Sequence, residues 1–407
     1  MRRVPDGDRA TTLLLACLRH GAPAPVGKPA RREDVRQMHV LAARHGVNPI
    51  LYRRLARLSG HGMVLAADDE QLFRAAYHHS RLRARATRTE IAGVLRAISG
   101  AGVPVIALKG TFLAEHVYDD EALRPMGDLD LLVPAERAED AAAAVLALGY
   151  RWDESSSTRA VDYATHHHLR RLVLDGRLPV ELHRALTRAD VSWRVDPRDL
   201  WRRAQPARVR GVDALALAPE HLLLHLVLHA ATHRFVVPLL AIEDIALVAE
   251  RLAPTDGWPR FVDVAHAARA GGLAYATLAL ARTLLAARIP DAALAALSHA
   301  SDDASIVPSL ARTVLDQFTE LPASYERALA ERGGWARVSL LLRGLVPSPA
   351  RLQAQEGLAP WSPAMASYYL RRPFDLARRH GKSFRALVTP RRYRDGRAAV
   401  ERWLARA

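Results

Sequence analysis

The segment RPMGDLDLLV, residues 124–133, places two aspartates, Asp128 and Asp130, in an otherwise apolar run. Its alternation predicts a buried strand. Side chains two positions apart on a strand point to the same face, so both carboxylates should lie together inside the protein. Burial of two like charges is costly unless positive groups neutralise them. The fold must therefore bring cations to these aspartates.

A third carboxylate, Glu181, lies on another apolar stretch, LPVELH. Asp175-Gly176 separates it from HHLRRLVL and predicts a hairpin. Three carboxylates on neighbouring strands suit Mg²⁺, and two such ions about 4 Å apart can hold the attacking and leaving oxygens of a nucleotidyl transfer. His183 shares a face with Glu181, where it is a base, a phosphate contact or, as we favour, a packed imidazole.

The stretch VPVIALKG predicts a strand that ends at Lys109 and Gly110, with a helix beginning at Thr111. Glycine lets the backbone approach a phosphate, a helix N-terminus offers free N–H groups, and lysine adds a point charge. The chain uses arginine almost throughout, which makes a lysine at this position more informative. Arg124 fits a phosphate contact and an ordinary loop arginine equally well.

The pattern of apolar residues predicts an α+β protein. A small mixed β-sheet domain, residues 101–190, is flanked by an N-terminal helical region, residues 1–100, and a C-terminal helical region with a basic tail, residues 191–407. The first 24 residues favour an amphipathic helix over a signal peptide. No apolar run approaches the ~20 residues of a membrane span.

The net charge of +15 suggests an anionic partner such as nucleic acid, a membrane surface or a phosphate-rich substrate. Solvated arginine-rich helix faces explain the same charge. Cys17 is the only cysteine, so no intramolecular disulfide can form. This indicates a reducing compartment, and we expect a cytoplasmic protein.

The order of a strand, KG, a helix, GDLDLLV and then VELH resembles the DNA polymerase β-like nucleotidyltransferase superfamily. It is most similar to a poorly characterised bacterial branch in which KG replaces the usual Gly-Gly or Gly-Ser. The resemblance covers about residues 103–248. It implies that Asp128 and Asp130 bind the metals and that Glu181 is the third carboxylate, near the acceptor hydroxyl. It also implies that Lys109 and Gly110 contact the triphosphate, and we expect Thr111 and Arg124 to complete the nucleotide site.

Two groups of histidines fall outside this pattern. Four are spaced four residues apart in a helical stretch: His221, His225, His229 and His233. Such spacing permits zinc binding by neighbours, but it drifts around the helix, so we favour structural packing. His166–His168 should alternate between the faces of a strand and so should not form one compact site.

These features predict a Mg²⁺- or Mn²⁺-dependent enzyme that binds ATP or another NTP. It would transfer a nucleoside monophosphate to a hydroxyl of a small molecule or peptide and release pyrophosphate. One alternative is the same chemistry on tRNA or other RNA, favoured by the basic C-terminal segment and its interleaved aromatic residues. Another is a non-catalytic nucleotide-binding protein, against which the three carboxylates argue.

Overall fold

The computed structural model of the protein describes residues 9–21, 31–58, 66–153, 166–252, 256–298, 304–316 and 391–406, together with residues 362, 363, 365, 367 and 369. The chain divides into two compact units, one of residues 1–315 with 400–407 and one of residues 316–399. The sheet and the candidate site described below belong to the first unit.

Helices precede the sheet, as the sequence pattern predicts. They are α1 (Arg9–Leu18), α2 (Arg32–Arg44), α3 (Asn48–Leu58) and α4 (Ala67–Gly100). The long helix α4 begins with three acidic residues, which interact favourably with the positive end of the helix dipole. Near its end, Ile91, Val94, Leu95 and Ile98 follow helical spacing and join the hydrophobic core beneath the sheet.

A seven-stranded mixed sheet forms the centre of this unit, in the order β3-β4-β5-β2-β1-β7-β6. Its strands are β1 (Ile106–Ala107), β2 (Leu129–Leu132), β3 (Arg151–Trp152), β4 (Leu172–Val173), β5 (Val180–His183), β6 (Gln205–Val209) and β7 (Val212–Ala216). Strand β2 is parallel to β5, and β1 is parallel to β7, whereas the remaining neighbours are antiparallel. The expectation of a mixed sheet flanked by helices is confirmed.

The predicted hairpin before LPVELH is present. Strands β4 and β5 are antiparallel, with Leu172 opposite Val180, and Gly176 in the connection has a φ of +74° that favours glycine. This hairpin places β5 next to β2. The register of the parallel pair sets Asp130 directly opposite Glu181.

The C-terminal region is not helical throughout, because β6 and β7 form a hairpin within residues 205–216. The purely helical pattern predicted from residue 191 onward is therefore wrong there. The turn residues Arg210 and Gly211 both have positive φ, +51° and +77°, which suits a two-residue hairpin turn. An arginine in this conformation is uncommon, so the local sequence does not predict the turn.

Further helices lie between and after the strands in the sequence. They are α5 (Lys109–His116), α6 (Ala138–Leu146), α7 (Pro197–Arg203), α8 (Pro219–Thr232), α9 (Leu239–Glu250), α10 (Gly257–Ala267), α11 (Gly271–Leu285), α12 (Asp291–Leu297), α13 (Val307–Asp316) and α14 (Arg391–Leu404). Helix α5 begins at Lys109, two residues before the predicted start. Within the described residues, no helix combines the length and the apolar character needed to cross a bilayer.

The basic C-terminal segment is described only in part. Tyr368, Phe374 and Phe384 lie outside the described residues. Trp403 on α14 is buried, and its ring centroid lies 6.2 Å from that of Phe235. This indole belongs to the core, so it is not exposed for stacking on a nucleic-acid base.

Candidate active site

The site forms where β2 and β5 lie side by side. Asp130 and Glu181 are opposite each other in the parallel register, and one carboxylate oxygen of each lies within 4.8 Å of the other. The expected proximity of Glu181 to the aspartates is confirmed. Asp128 immediately precedes β2 and interacts electrostatically with both carboxylates. The three predicted carboxylates are thus brought together.

Asp130 is the most deeply buried of the three, and two basic side chains hold it. The Lys109 ammonium donates to its Oδ1 at 2.8 Å, and the Nε2–H of His183 donates to the same oxygen at 2.9 Å. Burial raises the pKa of Asp130, but Lys109 and the His183 hydrogen bond outweigh it, so the net pKa lies well below the ordinary value. Asp130 is therefore held as a carboxylate.

Asp128 lies in a different electrostatic environment. Burial, then the charges of Asp130 and Glu181, raise the pKa of Asp128 to about 6, and Lys109 opposes the shift only in part. Three carboxylates therefore share one nearby ammonium, and an excess of negative charge remains. A bound cation would neutralise this excess.

A divalent metal fits this arrangement. Asp130, Glu181 and His183 each present a ligand atom, all within 4.8 Å of one another, and Asp128 interacts electrostatically with Asp130 and Glu181. Hard oxygen ligands of this kind are those that Mg²⁺ prefers. Asp128, Asp130 and Glu181 are therefore the side chains that would hold it.

His183 is more than a packed imidazole. Its side chain is buried, and burial lowers its pKa, although the hydrogen bond to Asp130 acts in the opposite direction. The ring is thus neutral, with Nε2–H as the donor, since a carboxylate can only accept. Glu181 and His183 share a face, as the E-x-H spacing predicts, and His183 Nε2 lies 4.0 Å from Glu181 Oε2.

Lys109 has an unusual backbone, because its φ of +41° is in the left-handed region. This conformation costs a lysine of order 1 kcal/mol or more and is frequent at functional sites. Next to it, a Cβ on Gly110 would lie 2.6 Å from Met126 Cγ. Glycine is therefore needed here for packing against the segment that carries Asp128. Thr111 follows in the same turn, fully buried.

Arg124 is held by a buried carboxylate that the sequence pattern did not single out, Asp244 on α9. Arg124 Nε lies 2.8 Å from Asp244 Oδ1, and Arg124 Nη2 lies 2.8 Å from Oδ2. Tyr118 donates to Asp244 Oδ1 at 2.7 Å. This network connects the loop before Asp128 to α9. The predicted contact between Arg124 and a phosphate stays a prediction.

Two histidines of α8, His225 and His229, lie close enough to Lys109 and Asp130 to interact with them electrostatically. His225 is buried, and its two ring nitrogens have no hydrogen-bond partner among the described residues. Burial, then the charge of Lys109, lower its pKa to about 3, so the ring is neutral. His221 instead lies 3.4 Å from Asp199. Within the described part of the chain, no candidate metal cluster includes a histidine of this helix.

His166–His168 do not behave as predicted. Each presents one nitrogen, and the three nitrogens lie within 4.8 Å of one another. The expectation that they could not form a compact site is wrong, because the backbone bends at His167 and only His168 forms a bridge, to His183. A bend removes the strict alternation of a strand.

Comparison with known proteins defines the class of this protein. A family model described as "Uncharacterised nucleotidyltransferase" matches residues 32–286, which is more than half of the chain. The chain belongs to this nucleotidyltransferase family. The match begins in the N-terminal helices and contains all three carboxylates, the sheet and helices α8 and α9. The resemblance seen in the sequence is thereby confirmed.

Among solved structures, the chain is similar to the solution structure of the antibiotic-resistance factor ANT(2'')-Ia. The sequence identity is 19%, the TM-score is 0.33, and the match covers 46% of this chain and 91% of that chain. At this TM-score the likeness is too weak for a residue-by-residue comparison. No curated protein matches the chain.

Proposed function

We propose that the protein transfers a nucleoside monophosphate from an NTP to a hydroxyl group of a small molecule or peptide and releases pyrophosphate, with Mg²⁺ as the metal. The observation that carries this proposal is the pairing of Asp130 with Glu181 on adjacent parallel strands, with Asp128 beside them. Family membership supports nucleotidyl transfer in general. The carboxylate arrangement supports the particular chemistry.

The proposed step breaks one bond and forms one. The acceptor oxygen attacks the α-phosphorus, a new P–O bond forms, and the bond between the α-phosphorus and the bridging oxygen breaks, so that pyrophosphate leaves. When bound, Mg²⁺ would stabilise the charge that develops on the phosphate oxygens. The hydroxyl proton must go to a base, for which Glu181 is the candidate, since its side chain is part-exposed whereas that of Asp130 is buried.

The remaining residues act on charge and position. Asp130, kept ionised by Lys109 and His183, is a preformed anionic ligand. Lys109 is the cation of the described site closest to Asp130, and an ammonium in this place also suits a triphosphate oxygen. Arg124 fixes the loop before Asp128 through Asp244. Together these contacts preorganise the carboxylates before substrate binds.

A direct test follows nucleotidyl transfer by mass. The purified protein is incubated with each NTP and Mg²⁺ or Mn²⁺, alone and with serine-, threonine- or tyrosine-containing peptides, polyols and sugars, or tRNA. Pyrophosphate release and the intact mass of every component, including the protein itself, are then measured. We expect a nucleotidyl addition to a small acceptor or peptide that disappears in Asp130→Asn.

The other outcomes separate the alternatives. Addition only to tRNA would replace the proposed acceptor class by RNA. NTP binding with neither pyrophosphate release nor a mass increase under any condition would indicate a non-catalytic nucleotide-binding protein. Glu139→Gln, an exposed substitution on α6, is the matched control and should retain full activity.

A further inference from the structure

Three consecutive imidazoles converge next to the carboxylates. His166, His167 and His168 each place one nitrogen within 4.8 Å of the other two. The ring centroids of His167 and His168 lie 4.8 Å apart, and those of His166 and His168 lie 5.3 Å apart. Because these residues are adjacent in the chain, the bend at His167 must be held by the surrounding fold.

The fold holds this bend through β5. His168 forms an antiparallel bridge to His183, and the backbone N–H of Arg184 donates to the carbonyl of His167 at 2.8 Å. Arg188 Nη1 also lies 3.5 Å from His166 Nε2. The histidine cluster is therefore fastened to the strand that carries Glu181, which gives it a defined position.

The ring nitrogens are placed for metal binding. His167 packs its ring against those of His168 and His183, with centroids 4.8 and 5.4 Å away. Its Nδ1 is buried without a hydrogen-bond partner among the described residues. The Nδ1 of His168 lies 2.7 Å from the carbonyl oxygen of Leu169, to which it can donate. Such a bond orients the ring and leaves Nε2 as a ligand atom.

We propose that His166, His167 and His168 form a transition-metal site, for Zn²⁺ or a chemically similar ion, distinct from the carboxylate site. Imidazole nitrogen suits such ions, whereas carboxylate oxygen suits Mg²⁺. Three protein ligands leave a fourth position open, as in catalytic zinc sites. The fourth ligand is a water or an oxygen of a bound substrate.

The histidine cluster lies next to the carboxylates. The ring centroids of His167 and His168 lie 5.4 and 5.5 Å from that of His183, which itself binds Asp130. A cation held by the histidine cluster adds positive charge beside the excess negative charge of the three carboxylates. Metal binding by the histidine cluster does not depend on nucleotidyl transfer, so this proposal and the proposed function can be tested independently.

The test measures metal binding on the full chain without an affinity tag. Zn²⁺ is titrated calorimetrically in the presence of excess Mg²⁺, and Co²⁺ is titrated separately and followed by its visible absorption. We expect one Zn²⁺ per chain and a Co²⁺ spectrum of low coordination number. His167→Ala should weaken Zn²⁺ binding by roughly tenfold or more, since it removes one ligand of three.

Three further variants make the result specific. His166→Ala removes a different ligand and should weaken Zn²⁺ binding in the same way, so the test does not rest on one variant alone. His79→Ala, an exposed histidine on α4, should leave it unchanged, and Asp130→Asn should retain it. Absence of Zn²⁺ and Co²⁺ binding, undiminished binding in folded His167→Ala, or loss of binding in Asp130→Asn would each overturn the proposal.

Discussion

The Lys109 ammonium donates to Asp130 Oδ1 at 2.8 Å, and the backbone of Lys109 adopts a positive φ. A strained residue thus supplies the positive charge that a buried aspartate requires. The flexible Lys109 side chain can neutralise Asp130 when no metal is bound and can contact a triphosphate when NTP is bound. The first prediction separates these two roles.

Replacement of Lys109 by alanine should reduce kcat/KM for NTP by about 100-fold, because a charge near the developing phosphate charge is lost. It should also lower the thermal midpoint Tm of the metal-free protein, because Asp130 loses a partner. Lys109→Arg should restore Tm better than activity, since a planar guanidinium differs from a compact ammonium. Steady-state kinetics and thermal unfolding check this.

Arg85→Ala, exposed on α4, is the control for loss of one positive charge and should leave both quantities unchanged. Unaltered NTP kinetics in Lys109→Ala would remove Lys109 from the nucleotide site. Its contact with Asp130 would then be purely structural.

The two aspartates should differ in their effects on stability. Repulsion between like charges alone predicts that neither Asp128→Asn nor Asp130→Asn lowers the stability of the metal-free protein. The structure supports this prediction only for Asp128. Its raised pKa, about 6, shows that the ionised form is disfavoured, so Asp128→Asn should raise Tm at pH 7.5 by a few degrees. Asp130→Asn should lower Tm, because Lys109 and His183 lose a charged acceptor.

Both variants should lose nucleotidyl transfer. Thermal unfolding in EDTA at pH 7.5 shows whether each variant raises or lowers Tm, and the pH dependence of Tm gives a second check. The penalty of the ionised Asp128 is absent below its ordinary pKa and complete above pH 6, so the advantage of Asp128→Asn should grow over that interval. Equal Tm changes in the two variants would contradict this difference in environment.

Glu181→Gln should keep NTP binding and lose turnover by about 100-fold or more, because an amide cannot accept the hydroxyl proton. The change preserves shape, and β5 is held by its neighbours β2 and β4. Calorimetry measures whether nucleotide affinity is retained, and the rate of pyrophosphate release measures the loss of kcat. Glu139→Gln on α6 serves as the control. A fall in affinity with unchanged kcat would make Glu181 a binding residue instead.

The sequence predicts the carboxylate site well because the relevant signals are local. Alternation around Asp130, the E-x-H spacing at Glu181 and the Asp175-Gly176 turn each reflect constraints within about ten residues. The hairpin at Arg210-Gly211 is not predicted, because no local signal in the sequence marks it. Its turn places an arginine at positive φ, and that arginine is held by residues distant in the sequence: its backbone N–H donates to Glu115, and its side chain pairs with Glu121.

The ion pair between Arg124 and Asp244 could not be predicted either. The two residues are 120 positions apart in the sequence. The segment that contains Asp244, EDIALV, has the pattern of an ordinary helix. Position alone made Arg124 a candidate phosphate contact, whereas its buried environment shows that the guanidinium is fixed by Asp244 and by the carbonyl of Pro125. Long-range polar contacts of this kind are set by packing and leave no periodic pattern.

Loss of this ion pair should be costly. Asp244→Ala leaves Arg124 as an unpaired charge in a buried place, which should lower the free energy of unfolding by about 3–5 kcal/mol. It should also reduce kcat, because the loop before Asp128 is no longer fixed to α9. Denaturant unfolding and activity at a temperature where the variant is folded check both effects.

Two controls define the effect. Glu70→Ala breaks the exposed pair with Arg74 and should change stability by less than about 1 kcal/mol. Arg124→Met combined with Asp244→Leu removes both charges and should be less destabilising than the sum of the single changes. Additive losses in this cycle would show that the two residues do not act as a pair.

The last prediction concerns His20, which connects the end of α1 to α9. Its Nδ1 lies 3.0 Å from Glu250 and its Nε2 lies 3.1 Å from Glu243, so both nitrogens donate and the ring is an imidazolium. Burial lowers the pKa of His20, but the hydrogen bonds to the two glutamates outweigh it and raise the pKa to about 9. The stabilisation is therefore complete below the ordinary pKa of 6.5 and is lost as the pH rises through about 9.

His20→Gln should accordingly lower Tm by roughly 5 °C at pH 6, and this difference should shrink as the pH is raised from 7 to 10. Thermal unfolding of both proteins across this range, at constant ionic strength, is the measurement. His79→Gln on α4 is exposed and should show no pH-dependent difference. A difference that stays constant from pH 6 to 10 would mean that His20 contributes packing and not charge, because only the charged contribution depends on deprotonation of the imidazolium.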